Sequence, residues 1–334
     1  MTDDVLQKTK VYAEEDRLQS WMHVAVAFAL VGLCGSLIVI TQKLTFNAYQ
    51  SIALSSMLSI ILGLLVVRLF ILFHDFHHQA ILAKSTIARL IFWLYGMLTL
   101  TPPNAWRETH NFHHAHTSKL GFSNIGSFKI MTLAEWEKAT PKEKQAYKIQ
   151  RHPLTILFGY FTVFLLGLCI AGFVRKPTKN WDGLLAIGLN IIVLIAAIKW
   201  GYVQLYLFIW LFPVIIGSAV GTYIFYAQHN FPSMEVRPRK QWNYLAAALH
   251  STCLINMPKW LHWFTGNIGY HHVHHANHKI PFYRLPEVMR LLSEFQEPKT
   301  TSLRPKDIYR CLQLSVWDME KSQMLTYRDL VRRS

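Results

Sequence analysis

Acidic residues are scarce in this 334-residue sequence: 19 Asp and Glu stand against 34 Lys and Arg, a formal net charge of +15. Such a chain is a poor source of the Glu and Glu-x-x-His ligands on which soluble di-metal helix bundles are built. Cysteine is scarcer still. Cys34, Cys169, Cys253 and Cys311 are widely spaced and no CxxC occurs, so neither a disulfide framework nor an iron–sulfur cluster is indicated. Charged residues of all kinds make up only 16% of the chain, while 52% is hydrophobic. Residues 1–20 mix both signs, with Asp4, Glu14 and Glu15 beside Lys8, Lys10 and Arg17. They read as something other than a cleavable signal, having no basic start before an apolar core and no small-residue cleavage motif. The positive excess fits the Lys- and Arg-rich cytoplasmic loops of a membrane protein. It also suits a docking surface for anionic headgroups or for an acidic electron-transfer protein. Nothing points to nucleic acid.

What the chain has in abundance is apolar sequence in long runs. About 20 apolar residues are needed to span a bilayer as a helix. Spans are expected near 22–41, 51–73, 183–198 and 202–227, and a further apolar stretch covers 155–174. Residues 81–101 are interrupted by Lys84 and Arg89, leaving a clean run of 12 residues from Leu90 to Thr101. That is too short to span and reads as interfacial or re-entrant. Three crossings within 155–227 would put the histidine-rich box at 271–275 on the wrong side, so one stretch is half-inserted or two act as one. Arg175, Lys176 and Lys179 favour the cytoplasm, so 155–174 is expected to dip in and return, with Gly159, Gly167 and Gly172 permitting the turn. Arg68, near the end of the second span, either snorkels to the interface or stands behind a site. Thr140-Pro141 with Glu143 reads as a capped helix start. The tail from Ile308 to Leu330 has apolar positions at helical spacing and is expected to form a helical cap. The expected architecture is an all-α integral membrane protein in a single domain over 1–334, with about four transmembrane helices, interfacial or re-entrant segments and a cytosolic helical cap.

The 17 histidines concentrate in three boxes: His74–His78, His110–His114 and His271–His275. Positions i, i+3 and i+4 share a helix face. His74 and His78, then His110, His113 and His114, then His271, His274 and His275 therefore each present imidazoles on one side. A lone His on an apolar face is ordinarily a satisfied core residue, but three boxes at helical spacing are not. Neutral imidazole is the commonest metal ligand. Eight such rings exceed the four that one tetrahedral zinc takes. They suit two first-row metals, iron among them.

This pattern of HDxxH, HxxHH and a distant HxxHH resembles the membrane-bound fatty acid desaturases. The flanks resemble the bacterial acyl-lipid branch: Arg68-Leu69-Phe70, Trp106-Arg107, Gly266-Asn267-Ile268-Gly269-Tyr270, and Ile280-Pro281-Phe282-Tyr283-Arg284-Leu285. The resemblance covers roughly residues 10 to 330. It departs at His77, where the family often has Gly. It implies a di-iron centre that activates O2, a further ligand in the Gln228-His229 pair, and a cis double bond in a long acyl chain as product. On this reading His74, His78, His110, His113, His114, His229, His271, His274 and His275 ligate two Fe ions. It also implies membrane lipid acyl chains as substrate and a separate electron donor of ferredoxin, flavodoxin or cytochrome b5 type. The expected location is a bacterial inner membrane, with the site on the cytosolic side.

Metal-ligating imidazoles are usually oriented by carboxylates or other acceptors behind them. Asp75 and Glu108 are candidates for that role, against a plain surface or capping role. Asn267, four residues before His271, would share its helix face and hold a water on the metal. His272, one position off the ligand face, would hydrogen-bond behind the site, and His77, His116 and His278 are weaker candidates. His23, His152, His250 and His262 read as structural. Competing readings are a hydroxylase, acetylenase or carotenoid-modifying oxygenase on the same scaffold, or a His-rich metal transporter. A transporter would carry its ligands inside the spans, whereas these boxes lie outside the apolar runs.

Overall fold

Long uncharged runs leave a backbone no partner but itself in lipid, and helices result. The computed structural model describes residues 2–44, 47–121 and 125–332. Four helices are long and apolar enough to cross a membrane: Arg17–Lys43, Ala48–His77, Asp182–Lys199 and Val203–Gln228. They lie over the four expected stretches, the first three extended at both ends and the fourth shifted by one residue. The first is capped by Asp16, which accepts from Gln19 N. The second starts in a capping box between Asn47 and Gln50. Thr86–Leu98 is a 13-residue helix, too short to span, as expected of 81–101.

The chain forms two compact units. One comprises Glu15–Trp106 and Phe158–Thr222 and holds most of the spanning sequence. Small residues bring its helices together. Gly63 lies so close to the fourth span that an added Cβ would meet Ile216 Cγ2 at 2.7 Å, and one on Gly217 would meet the Gly63 carbonyl at 2.9 Å. Ser59 donates to the Phe208 carbonyl at 2.5 Å beside this crossing. Close packing through small residues is the usual means of helix association where no hydrophobic drive exists. Arg68 does not snorkel. It is 2% exposed and donates from Nη2 to His23 Nδ1 at 3.1 Å, because the first span supplies an acceptor at its own depth.

The expected fold-back of 155–174 takes a different form. Tyr160–Arg175 is helical throughout, wound over Tyr160–Ile170 with hydrogen bonds to the fifth residue back, as from Ala171 N to the Leu166 carbonyl. Gly167 and Gly172 do not reverse it. At about 1.5 Å per residue the helix is shorter than the roughly 30 Å hydrocarbon core. Its following loop lies against the start of the second-box helix, Pro103–His116. Asn104 N donates to Asp182 Oδ2 at 2.7 Å and Asn104 Nδ2 to the Lys179 carbonyl at 3.0 Å. The buried Asp182 carboxylate thus caps that helix.

The other unit comprises Met1–Glu14, Arg107–Leu157 and Tyr223–Ser334. Pro141–Gln150 begins in the expected capping box between Thr140 and Glu143. Leu254–Asn256 pairs in parallel with Thr300–Ser302. The tail corrects the expectation of a helical cap. Pro305–Gln313 is helical, but Leu314–Asp318 and Gln323–Thr326 form an antiparallel pair before the short helix Tyr327–Val331. All five residues of Leu314–Asp318 are buried. The Tyr147 hydroxyl donates to the Ser315 carbonyl at 2.7 Å, and Met131, Tyr147, Val316, Leu325 and Leu330 pack as one core. Val316 and Trp317 suit such a strand better than a helix.

Candidate metal centre

The second-box helix carries His110, His113 and His114 on one face, as their spacing requires. The third box lies on a six-residue helix, His271–Ala276, too short to be stable alone. Its surroundings fix it. Gln228 Nε2 donates to the Ile268 carbonyl at 2.7 Å, and Ile255 N to the Gly269 carbonyl at 3.0 Å. A Cβ on Gly269 would meet His262 Cε1 at 2.9 Å and the Ile255 carbonyl at 3.1 Å, so the glycine lets the two segments approach closely.

These elements gather seven imidazoles within one unit. His113, His229, His271 and His275 place ligand nitrogens within 4.8 Å of one another, and so do His110, His114 and His274. Their Nε2 atoms converge. His229 Nε2 lies 3.1 Å from His113 Nε2 and 2.9 Å from His271 Nε2. His114 Nε2 lies 3.1 Å from His110 Nε2 and 3.2 Å from His274 Nε2. A neutral imidazole nitrogen carries one hydrogen or one in-plane lone pair. One nitrogen facing two others cannot satisfy both as ordinary hydrogen bonds. Lone pairs converging on one cation can, since metal–nitrogen bonds of about 2.0–2.1 Å at the tetrahedral angle space neighbouring donors by about 3.3 Å.

Two of the rings, His229 and His275, are also held toward the neutral form that ligation demands. Burial pushes the His275 imidazole well below the usual histidine range, and His271, His229, His113 and His274 around it act the same way. Burial and then His113 lower that of His229, while the Ser251 backbone opposes them. Phe225 packs edge-on to His113 and His229, at ring centroid distances of 5.0 and 5.4 Å.

In the other unit, the second span ends on the first box. His74 and His78 are buried one helical turn apart, with ring centroids 4.5 Å from each other. The Asp75 carboxylate, 1% exposed, accepts from His74 Nδ1 at 2.8 Å and leaves Nε2 for a ligand. Trp106 packs against His74, His77 and His78.

The family model for fatty acid desaturases matches residues 51–306. The chain is 31% identical over 296 residues to the fatty acid desaturase of Bacillus subtilis (strain 168), covering 85% of this chain and 82% of that one. The chain belongs to the fatty acid desaturase family. It is therefore an oxidoreductase bearing the apolar helices of a membrane-bound enzyme. More distant desaturases are similar too. The sn-1 oleoyl-lipid 12-desaturase of Anabaena variabilis is 22% identical over 81% of this chain and 75% of its own length. The delta(12) fatty acid desaturase of Mortierella isabellina is 21% identical over 70% and 67%.

Against that desaturase frame, the residues expected beside the ligands part ways. Asp75 sits on a box histidine. Glu108 is half-buried on the second-box helix, two residues before His110. Asn267 loses the premise of its assignment: it precedes the third-box helix in a turn at φ 53°, and its amide donates to the Phe282 carbonyl at 3.2 Å. His272 donates to or accepts nothing among the ligands; its Nε2 lies 3.2 Å from the Phe295 carbonyl. His77 packs on Phe73 at 4.4 Å and His116 stacks on Phe112 at 4.1 Å.

Two supporting residues were missed in the sequence. Thr117 Oγ1 lies 3.2 Å from His275 Nδ1 and donates to the His113 carbonyl at 2.7 Å. Its position four residues after His113, on the same helix face, was the available signal. Arg151, 1% exposed, donates to the Lys129 carbonyl at 2.9 Å, to the Tyr226 hydroxyl at 3.3 Å and to Asn230 Oδ1. Asn230 in turn donates to the Cys311 carbonyl at 2.7 Å. The segment carrying His229 is thereby fastened on both sides, and no sequence motif announces it.

Proposed function

We propose that this chain introduces a cis double bond into a long, lipid-linked acyl chain, using O2 and two electrons, with two iron ions held entirely by imidazole. His113, His229, His271 and His275 would hold one ion. His110, His114 and His274 would hold the other, and the desaturase pattern assigns His74 and His78 as further ligands. Residues 1–334 are read as one functional domain, a reading the family match over residues 51–306 favours. The observation that carries the reading is the convergence of Nε2 atoms on His229 and His114, which hydrogen bonding alone does not satisfy. Bound there, iron would supply the activation of O2 needed to take hydrogen from unactivated methylenes. Two substrate hydrogens, two protons and two electrons reduce one O2 to two waters.

The chain's own contribution is orientation, exclusion of water and electrostatics. Asp75 holds His74 through Nδ1 and directs its Nε2 lone pair outward. Gln228 ties the end of the fourth span to the turn before the third box. Phe225 and Trp106 wall the rings off from water. The similarity to the sn-1 oleoyl-lipid 12-desaturase of Anabaena variabilis favours a lipid-linked acyl chain as substrate. Electrons would come from a separate ferredoxin, flavodoxin or cytochrome b5 type protein; the basic excess suits an acidic partner. A bacterial inner membrane with the boxes on the cytosolic face satisfies the positive-inside rule. With Tyr160–Arg175 inserted without crossing, the four spans return residues 229–275 to the side reached after His77.

Expression in a bacterial host lacking the activity, followed by mass spectrometry of its membrane fatty acids, tests the reading. Wild type is expected to yield a new unsaturated species that His113→Ala does not, and fragmentation locates the bond. A hydroxylated product would move the reading to another oxidation on the same scaffold. No new product, with iron and a working electron donor present, would overturn it.

A further inference from the structure

The Thr117 hydroxyl has one hydrogen, and the His113 carbonyl 2.7 Å away takes it. This is the ordinary bond from a threonine, here just past the helix end, to the carbonyl one turn back. What remains on Thr117 Oγ1 is lone pairs. His275 Nδ1, 3.2 Å from that oxygen, must therefore be the donor. A neutral imidazole with its hydrogen on Nδ1 carries its lone pair on Nε2. His275 Nε2 is buried and has no hydrogen-bond partner, although it belongs to a ring packed among His113, His229 and His271. Thr117 is itself held: its carbonyl accepts from the Trp242 indole Nε1 at 2.9 Å, and Lys119 Nζ lies 4.6 Å from the centre of the Trp242 ring.

We propose that Thr117 is a positioning residue that fixes the His275 tautomer and aims its Nε2 lone pair into the four-histidine group. The inference rests on that group holding a metal ion. The other tautomer would put a hydrogen where a ligand lone pair is needed, and a free ring would have to be ordered on binding. Groups that orient a ligating imidazole are typically worth about 10–100-fold in metal affinity.

The test compares the full-length purified wild type with Thr117→Val, which keeps the shape and removes the acceptor, Thr117→Ala, which cannot overpack, and Thr117→Ser, which restores the hydroxyl. Iron per chain and the dissociation constant for Fe(II) are measured anaerobically by competition with a chelator, beside helix content and monodispersity. Val and Ala are expected to fold normally and to bind one of the two ions about 10–100-fold more weakly, with Ser close to wild type. Wild-type affinity in Val and Ala would overturn the proposal. So would a loss in Ser equal to that in Val, which would assign the effect to packing of the methyl group. Failure of both Val and Ala to fold would also overturn it, since a tautomer-setting role leaves the fold intact. A wild type that binds no iron would instead overturn the proposed metal centre itself.

Discussion

His74 and His275 are supported by different kinds of neighbour. Behind His74 stands a buried carboxylate, Asp75, which lies within electrostatic reach of the buried Arg68. Behind His275 stands a neutral hydroxyl, Thr117, and beside His229 stand the Ser251 backbone and the rings of His113 and His271. Hydrogen bonds to an ionised partner are roughly twice as strong as neutral ones. The first box therefore gains basicity from charge, and the four-histidine group gains its lone pairs by geometry. A chain short of acidic residues backs His74 with a carboxylate where a span ends and His275 with a neutral hydroxyl.

The sharpest way to break the comparison is to remove a ring from each side. His229→Ala and His74→Ala should each lose desaturation below detection in the fatty acid assay, with iron falling by about one ion per chain. Loss of iron from only one variant would show the two groups to be unequal. Asp75→Asn keeps the shape and removes the charge. It should weaken metal binding by about 10–100-fold, and the deficit should exceed that of Thr117→Val in the same titration.

The support of His229 reaches further back, to Arg151. Arg151→Leu strands Asn230 Oδ1, the Tyr226 hydroxyl and the Lys129 carbonyl, each costing about 1 kcal/mol or more. Thermal unfolding should shift down accordingly, by about 3 kcal/mol in all. An unchanged midpoint would detach Arg151 from the account.

Acid should separate the supports as well. The folded-state affinities of His229 and His275 for protons are lowered by burial, whereas the unfolded chain takes protons near pH 6.5. Below about pH 6.5 the unfolded state binds more protons, so stability of the metal-free protein falls as the pH drops. Between pH 7 and 8.5 these groups contribute no slope. A flat profile from pH 7 to 5 would contradict the buried neutral imidazoles. At the smallest end, His77→Phe should leave iron content and activity within about twofold, since His77 packs on Phe73 and Phe76 and no ligand role falls to it.

The four spans and the three boxes were legible in the sequence because they rest on period and length alone. Capping at Thr140 and Glu143 was legible for the same local reason. The sequence left Arg68 open between snorkelling and standing behind a site, because its acceptor, His23, lies 45 positions away. Asn267 was misplaced because a helix was extended through Gly266 and Asn267, both of which take positive φ. The tail looked helical because Leu314 to Thr326 carries apolar residues on both faces, and only the core around Tyr147 selects the strand pair. Arg151 was silent because its partners are carbonyls and neutral side chains far along the chain.

Iron-edge X-ray absorption on the purified, iron-loaded enzyme tests the central claim most directly. Two irons per chain with four to five imidazoles each, counted from the outer-shell scattering of the rings, is the predicted result. One iron or none per chain, or two or fewer imidazoles per iron with carboxylate oxygen in their place, would contradict an all-histidine centre.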